Sequence, residues 1–404
     1  MGIEWSPSLP GQLVIPRQNV ISVEETIPKP LLTVEGHRGG VEVVESIAGE
    51  WRQLCAEAHN DQPFFRPEWV STYLRAFAPR KPTLLVTARV DGRLKAVLPL
   101  VEEQAWFWGF PVRKLRSAAN VHCLRFDLIR SAGPEGQLAT QAIWEFLRDS
   151  VAWDLFEMQH VLAGAPLEDL VSTASVNGFP IARRESWHSP YIPILDGNTN
   201  GESSLQGTDA KFRANLCRRW RNLSAQGTLA LQRFDKADPQ MLQRFYELER
   251  SGWKGRSRSA ITLDAHTQQF YDQIARAAEQ FNYLSVYILE SNGRDVAAQL
   301  GLSYGSRYFL LKTAYDEAYS QYSPGQLLVR AVLADCVKRG YTEFDFLGAF
   351  DNWKRDWTSK ARVQNDWCVF NKTRKGRALD VLVSAMKHAR NTIFDRPSHV
   401  LNSI

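Results

Sequence analysis

The sequence predicts an α/β (α+β) protein of two successive units, each a mixed, mostly antiparallel sheet flanked by helices. Three observations carry this. Asp91-Gly92 and Ser291-Asn292-Gly293 each join two apolar runs, as hairpin turns do. Around each hairpin the same order recurs, helices, hairpin, strand, helix, strand, which points to an internal duplication with diverged sequence. Between the two lies the polar segment 196–207, DGNTNGESSLQG, with the composition of a linker.

Taken in order, residues 1–40 carry Pro7, Pro10, Pro16, Pro28 and Pro30 with little periodicity and are expected to form an extended arm. The first unit, 41–195, opens with a strand at Val41–Ile47 and a helix at Ala48–Asn60. Pro67 starts a second helix to Phe77. Strands Thr83–Val90 and Arg93–Val101 flank the hairpin, and a further strand group covers Trp106–Phe110 and Leu124–Ile129. A helix at Gly133–Val151, a strand at Trp153–His160, a helix at Pro166–Val176 and a strand at Phe179–Glu185 complete it. The second unit, 205–372, has helices at Lys211–Ala225, Pro239–Arg250 and Ala265–Gln280, with a strand at Thr228–Phe234 between the first two. Its hairpin pairs Leu284–Glu290 with Asp295–Ser303, and Asp366–Asn371 closes its sheet. Residues 373–404 hold a last basic amphipathic helix over 374–395. Leu379, Leu382, Val383, Met386 and Ile393 share one face, with Arg374, Lys375, Arg377, Lys387 and Arg390 nearby. Such a helix either covers a core or lies on an anionic membrane surface.

At 404 residues and 44% apolar, two ordinary globular cores are expected, and 13 Trp with 20 Phe make them aromatic-rich. No apolar run is long enough to cross a bilayer, and the first residues lack the basic and apolar regions of a secretory signal. Five scattered cysteines without a Cys/His cluster exclude a zinc site and fit reduced thiols in the cytoplasm. We therefore expect a cytoplasmic protein, peripheral at most on the inner face of the membrane, with no metal and no DNA partner. The net charge of +5 suits an anionic ligand.

The stretch 308–357 is the most informative. An apolar strand, Tyr308–Ala314, leads through a polar loop into Pro324-Gly325 and an amphipathic helix ended by Gly340. A short strand, Thr342–Leu347, follows. Proline suits the first helical turn, and Gly325 lets an anion approach the backbone. The N–H groups of Gly325, Gln326 and Leu327 are expected to be free at the positive end of the helix dipole. With Ser323 they outline a diphosphate cradle.

Four segments now carry a resemblance: KFRANLCRRWRNL from Lys211, ELERSGWKGRSRSAI from Glu247, AYDEAYSQYSPGQLL from Ala314 and FDFLGAFDNWKRDW from Phe344. Together they resemble the GNAT-fold acyltransferases, and within them the branch annotated from cellulose-biosynthesis operons, related to the Fem-type peptidoglycan aminoacyltransferases. The resemblance covers about 211–357 and implies two tandem GNAT-like units, the first degenerate. It implies acyl-CoA, acetyl or long-chain, as donor and a small-molecule amine as acceptor, either an amino sugar of a surface polysaccharide or a long-chain lipid amine. The sequence Gln321-Tyr322-Ser323-Pro324-Gly325-Gln326 departs from the family's phosphate loop, with Pro324 displacing the first glycine. The donor's pantetheine is expected between strands 308–314 and 342–347, with an N–H from Lys312, Thr313 or Ala314 on the thioester carbonyl.

Amide formation from a thioester needs a base for the amine, donors for the oxyanion and a proton for the leaving thiolate. Glu249, ending a helix beside Trp253-Lys254, is the first candidate base. Asp345, between Phe344 and Phe346, is a second carboxylate that must be paired or functional. Tyr315 and Tyr322 are candidate donors to the thiolate. Lys354 is linked by the resemblance to the donor or the oxyanion. Trp253, Lys254, Asp316, Trp353 and Trp357 are expected to shape the acceptor slot, with Lys254 and Arg256 adding positive charge at its mouth. Two other readings stand beside this one. A Fem-type transferase would take aminoacyl-tRNA, and a non-catalytic GNAT-like scaffold would serve envelope assembly.

Overall fold

The structure is a computed structural model, and it describes residues 31–107, 109–194 and 208–393. The first half runs β1 (Leu32–Gly39), α1 (Glu42–Ser46), α2 (Ala48–Glu57), α3 (Pro67–Phe77), β2 (Thr83–Val90), β3 (Arg93–Phe107), β4 (Phe110–Ser117), β5 (Ile129–Arg130), α4 (Pro134–Ser150), β6 (Leu155–Leu162), α5 (Pro166–Val176) and β7 (Ile181–Pro193). The second runs α6 (Ala210–Ser224), β8 (Leu229–Phe234), α7 (Pro239–Ser251), α8 (Trp253–Arg256), α9 (Ala265–Gln280), β9 (Leu284–Ser291), β10 (Arg294–Tyr304), β11 (Arg307–Tyr315), α10 (Pro324–Lys338), β12 (Glu343–Asp345), α11 (Asn352–Arg355), β13 (Ala361–Phe370) and α12 (Arg374–Ile393).

The strands of the described residues all join one sheet. Its path is β1-β2-β3-β4-β6-β13-β7-β12-β11-β10-β9-β8, with β5 beside β3. The sheet is antiparallel except at two places. β4 runs parallel to β6, and β11 runs parallel to β12. Each half thus supplies an antiparallel meander, a helix and one parallel neighbour. Their last strands are exchanged: β7, from the first half, pairs with β12, while β13, from the second, pairs with β6. β7 and β13 lie antiparallel to each other in the middle. The polar segment 196–207 separates two runs of sequence, but the exchanged strands place the end of each run in the other's sheet.

One large core joins the halves. Phe64 and Trp69 of the first half stack edge-on with Phe309 and Phe270 of the second. A second core under α10 packs Tyr287, Tyr308, Leu327, Phe344 and Trp357. Burying side chains of this size supplies ~2 kcal/mol or more apiece, so the two halves are one folding problem.

Several sequence expectations are corrected. Leu32–Gly39 is no free arm; it pairs along its length with β2. Val41–Ile47 is a helical turn, because Val44 turns into the core while the Glu42 carboxylate accepts the Gly40 N–H. Leu124–Leu128 is irregular chain that buries Phe126 and Leu128, and only Ile129–Arg130 pairs with a strand. The expected strand Asp366–Asn371 is, up to Phe370, the end of β13, which lies mid-sheet and closes no edge. The N-terminal prolines before residue 31 lie outside the described residues.

Candidate active site

The parallel pairing of β11 and β12 spans three residue pairs: Arg307 with Glu343, Tyr308 with Phe344, and Phe309 with Asp345. Beyond Phe309, β11 continues to Tyr315 with β10 on one side and, among the described residues, no strand on the other. The two strands splay, and the open edge of β11 is left for a ligand. Thr313 faces it: its carbonyl oxygen accepts from Lys254 Nζ at 2.9 Å, whereas the Asp316 N–H turns back to Val296 on β10. In an antiparallel strand the N–H and C=O of one residue point the same way, so the Thr313 amide faces the open edge too.

A cavity of about 500 Å³ lies at this splay. Leu248, Trp253, Ala314, Tyr315, Pro324 and Trp353 give it aromatic and apolar walls, and Glu249, Lys254 and Asp351 bring charge. Gly252, Thr313, Ser320, Ser323, Gly325 and Gln326 complete the lining.

The charged wall is built by the turn after α7. The Asp238 side chain caps the start of α7, and Glu249 emerges near its end at 2% exposure. One carboxylate oxygen accepts from Lys254 Nζ at 2.8 Å, the other from the Ile261 N–H at 2.9 Å. Lys254 can fold back because residue 255 is glycine; a Cβ there would sit 1.9 Å from the Arg250 carbonyl oxygen. A carboxylate, an ammonium and the Thr313 backbone are thereby linked in one row. Trp253 stands half exposed at the mouth. Arg256 is paired with Glu317 at 2.7 Å, so its charge at the mouth is met.

The opposite wall is the start of α10. Ser323 takes a left-handed conformation (φ 52°) and Pro324 fills the first helical position. The expected cradle is narrower than the sequence implies. The N–H groups of Gln326 and Leu327 both donate to the Ser323 carbonyl, at 3.0 and 3.1 Å. Gly325 is left as the amide there without a backbone acceptor among the described residues. Leu327 is buried in the core below. The Gln326 side chain faces away from an anion: its oxygen accepts from Trp357 Nε1, and its nitrogen donates to the Trp353 carbonyl at 3.4 Å.

The remaining candidates fall elsewhere. Lys354 is 7% exposed, and Nζ donates to the carbonyls of Leu347 (3.0 Å) and Ala349 (2.7 Å) and pairs with Asp351 at 3.2 Å. All three donors are used to hold the bend where Leu347 and Gly348 have positive φ (53° and 58°), so Lys354 faces no donor or oxyanion. Burial holds its ammonium below the usual lysine range, with Asp351 opposing. Asp345 is wholly buried and accepts from Arg125 (2.5 Å), Arg362 (3.2 Å) and the Leu347 N–H (2.8 Å), which places it in an ion network between the halves. Asp316 caps the turn after β11 through the Ala318 N–H and pairs with Arg294. Trp357 anchors the core edge-on to Phe212. The Lys312 side chain turns toward α9, 5.5 Å from the Tyr271 ring, and does not line the cavity. Burial, then the nearby Lys254 charge, push its ammonium down to about 8. Of the expected site, Glu249, Trp253, Lys254, Thr313, Ala314, Tyr315, Ser323, Gly325, Gln326 and Trp353 meet at one cavity. Asp351 was not foreseen, although an Asp just before a short helix is a visible signal.

The first half shows what this arrangement is not. At the matching position, α4 begins after Gly133 with Pro134, but Glu135 occupies its first turn and pairs with Lys95 at 2.9 Å. The Ser131 carbonyl lies 1.9 Å from where a Cβ on Gly136 would be, so backbone fills the space in front of the helix.

Residues 210–355 match the acetyltransferase (GNAT) domain family. The match lies wholly within the second half. The match ends short of β13 and covers none of the first half. Among solved structures, FemX superimposes with a TM-score of 0.57 at 10% identity, covering 86% of this chain and 99% of its own. That likeness extends the shared fold over both halves. The L-PGS structure from Bacillus licheniformis (TM-score 0.49, 11% identity, 84% and 96% covered) and a tandem GNAT protein from the clavulanic acid biosynthesis pathway (0.45, 13%, 84% and 100%) are more distant. No curated protein sequence matches the chain. Among the described residues no His, Cys, Asp and Glu side chains gather to hold a metal, and no helix is long and apolar enough to cross a membrane.

Proposed function

We propose that the chain is an N-acyltransferase that moves an acyl group from a coenzyme A thioester to an amine, with the donor lying along the open edge of β11. The observation that carries this is the early end of the β11–β12 pairing, which leaves the Thr313 amide facing a cavity that the start of α10 also borders. In this reading the donor's phosphates lie toward the Gly325 N–H and the positive end of α10. The thioester carbonyl lies at the Thr313 amide with the Lys254 ammonium beside it, so charge developing on that oxygen is met by fixed donors.

The acceptor nitrogen attacks the carbonyl carbon, the C–N bond forms and the C–S bond breaks. Glu249 takes the proton released by the nitrogen, and the Tyr315 hydroxyl protonates the departing thiolate. The acceptor reaches the carbonyl as its neutral amine, and Asp351, paired with Lys354, lines the entrance. The walls of Trp253, Trp353 and Leu248 favour an amine on an apolar body, such as a long-chain lipid amine, over an amino sugar. The convergence of a carboxylate and an ammonium on one cavity favours an enzyme over a scaffold.

Release of free coenzyme A from acetyl- and palmitoyl-CoA, in the presence of an amino sugar or a long-chain amine, tests the reading. Amine-dependent release is expected, and Glu249→Gln should lower kcat by about 10²-fold or more. Absence of release with both donors, alongside amide formation from aminoacyl-tRNA, would replace this reading with the Fem-type one.

A further inference from the structure

The sequence where β3 gives way to β4 reads Trp106-Phe107-Trp108-Gly109-Phe110, four aromatic residues in five. Trp106 leaves 75% of its surface exposed. Its register partner is Pro111, and the Pro111 carbonyl accepts a hydrogen bond from Lys375 Nζ at 2.9 Å. The first turn of the basic helix α12 is therefore seated at the base of the aromatic hairpin. Ala105, Trp106 and Val112 of the hairpin and Leu379 and Val383 of α12 line one shallow groove of about 200 Å³ between them.

Charge on this face is predominantly basic, with three cations in the first turn of α12 against Asp380. Arg374, Lys375 and Arg377 are exposed, and neither arginine has an ionic or hydrogen-bonded side-chain partner among the described residues. Val381, 65% exposed, continues the outward face one turn on from Arg377. Of the acidic groups close by, Asp154 is met by Arg113 at 3.0 Å and Glu157 by Lys114, while Asp380, three residues on from Arg377, is the single carboxylate of α12 among the described residues. Acyl transfer at the β11 cavity uses none of these residues.

We propose that this face docks on an anionic phospholipid bilayer, with Trp106 seated at headgroup level and Arg374, Lys375 and Arg377 over the acidic headgroups. An exposed tryptophan is costly in water and suits the bilayer interface, where its ring is apolar and its N–H wet. Unpaired arginines beside it supply the attraction that selects acidic lipid from neutral lipid. The inference rests on the juxtaposition of hairpin and helix and is independent of the acyltransferase reading.

Cosedimentation of the full chain with vesicles of phosphatidylcholine, alone or with phosphatidylglycerol, tests it. Partition onto the anionic vesicles should exceed that onto neutral ones by about tenfold or more and should weaken with added salt. Arg374→Ala with Arg377→Ala should lower it by about fivefold per residue, and Trp106→Ala by a similar factor. These side chains are exposed, so thermal unfolding of the variants should match that of the parent chain. Equal partition onto both vesicle types, absence of binding to the anionic ones, or variants that bind as tightly as the parent would overturn the proposal.

Discussion

His122, half-buried between the halves, shows how much a single residue can hold. It stacks on Phe77 with ring centroids 5.5 Å apart, and its Nδ1 lies 3.2 Å from the Tyr271 hydroxyl. Burial, then the Lys312 charge, push its pKa down to about 4. The unfolded chain therefore binds a proton between about pH 6.5 and pH 4 that the folded chain refuses, and stability falls as pH falls through that window. A His122→Phe variant should lose less stability than the parent between pH 7 and pH 5 in urea titrations; an equal loss in both would contradict this. Sequence could not place His122, because its partners come from elements far along the chain. Lys354 illustrates the opposite error. The motif around it is legible, yet its ammonium turns inward to carbonyls that the bend at Leu347-Gly348 presents. Glu249 and Lys254 were legible because they are five residues apart, and a helix end followed by a glycine-bearing turn brings them together.

At the scale of elements, helices with a proline start and hairpins with Asp-Gly or Asn-Gly turns are set by local chemistry, and α3, α5, α9 and β2 lie where the sequence puts them. Elements whose identity depends on a distant partner were misread. β1 needs β2 beside it, and the Val41–Ile47 turn needs a core to receive Val44. The two starts of α4 and α10 are related in sequence, Ser131-Ala132-Gly133-Pro134-Glu135-Gly136-Gln137-Leu138 against Ser323-Pro324-Gly325-Gln326-Leu327. That echo explains why one half keeps an open cradle. In the first half, an acidic first turn and an intruding carbonyl occupy the place where an anion would sit.

At the scale of the whole molecule, the exchange of β7 and β13 makes the halves interdependent. Each central strand has a neighbour from the other half along its length, and the Arg125–Asp345 pair with the Phe64–Phe309 contact tie the cores together. Separating the halves would expose both the strand edges and these faces to water. Calorimetry should therefore show one cooperative transition, with the calorimetric and van't Hoff enthalpies equal. Two resolved transitions would mean that the halves fold as separate units. The duplication was legible in the order of elements, whereas the exchange was not, since nothing in a strand's own residues names its neighbour.

The central claim is that a coenzyme A thioester binds between the open edge of β11 and the start of α10. Gly325→Glu tests it most directly. A side chain fits there, with the nearest atom of Tyr315 3.6 Å from the added Cβ, and a carboxylate in the first turn of a helix is stabilising. The same carboxylate would repel the donor's phosphates. Thermal unfolding with and without acetyl-CoA should show the thioester raising the Tm of the parent chain but not that of Gly325→Glu, whose own Tm should be undiminished. An equal rise in both proteins would place the donor elsewhere and contradict the account.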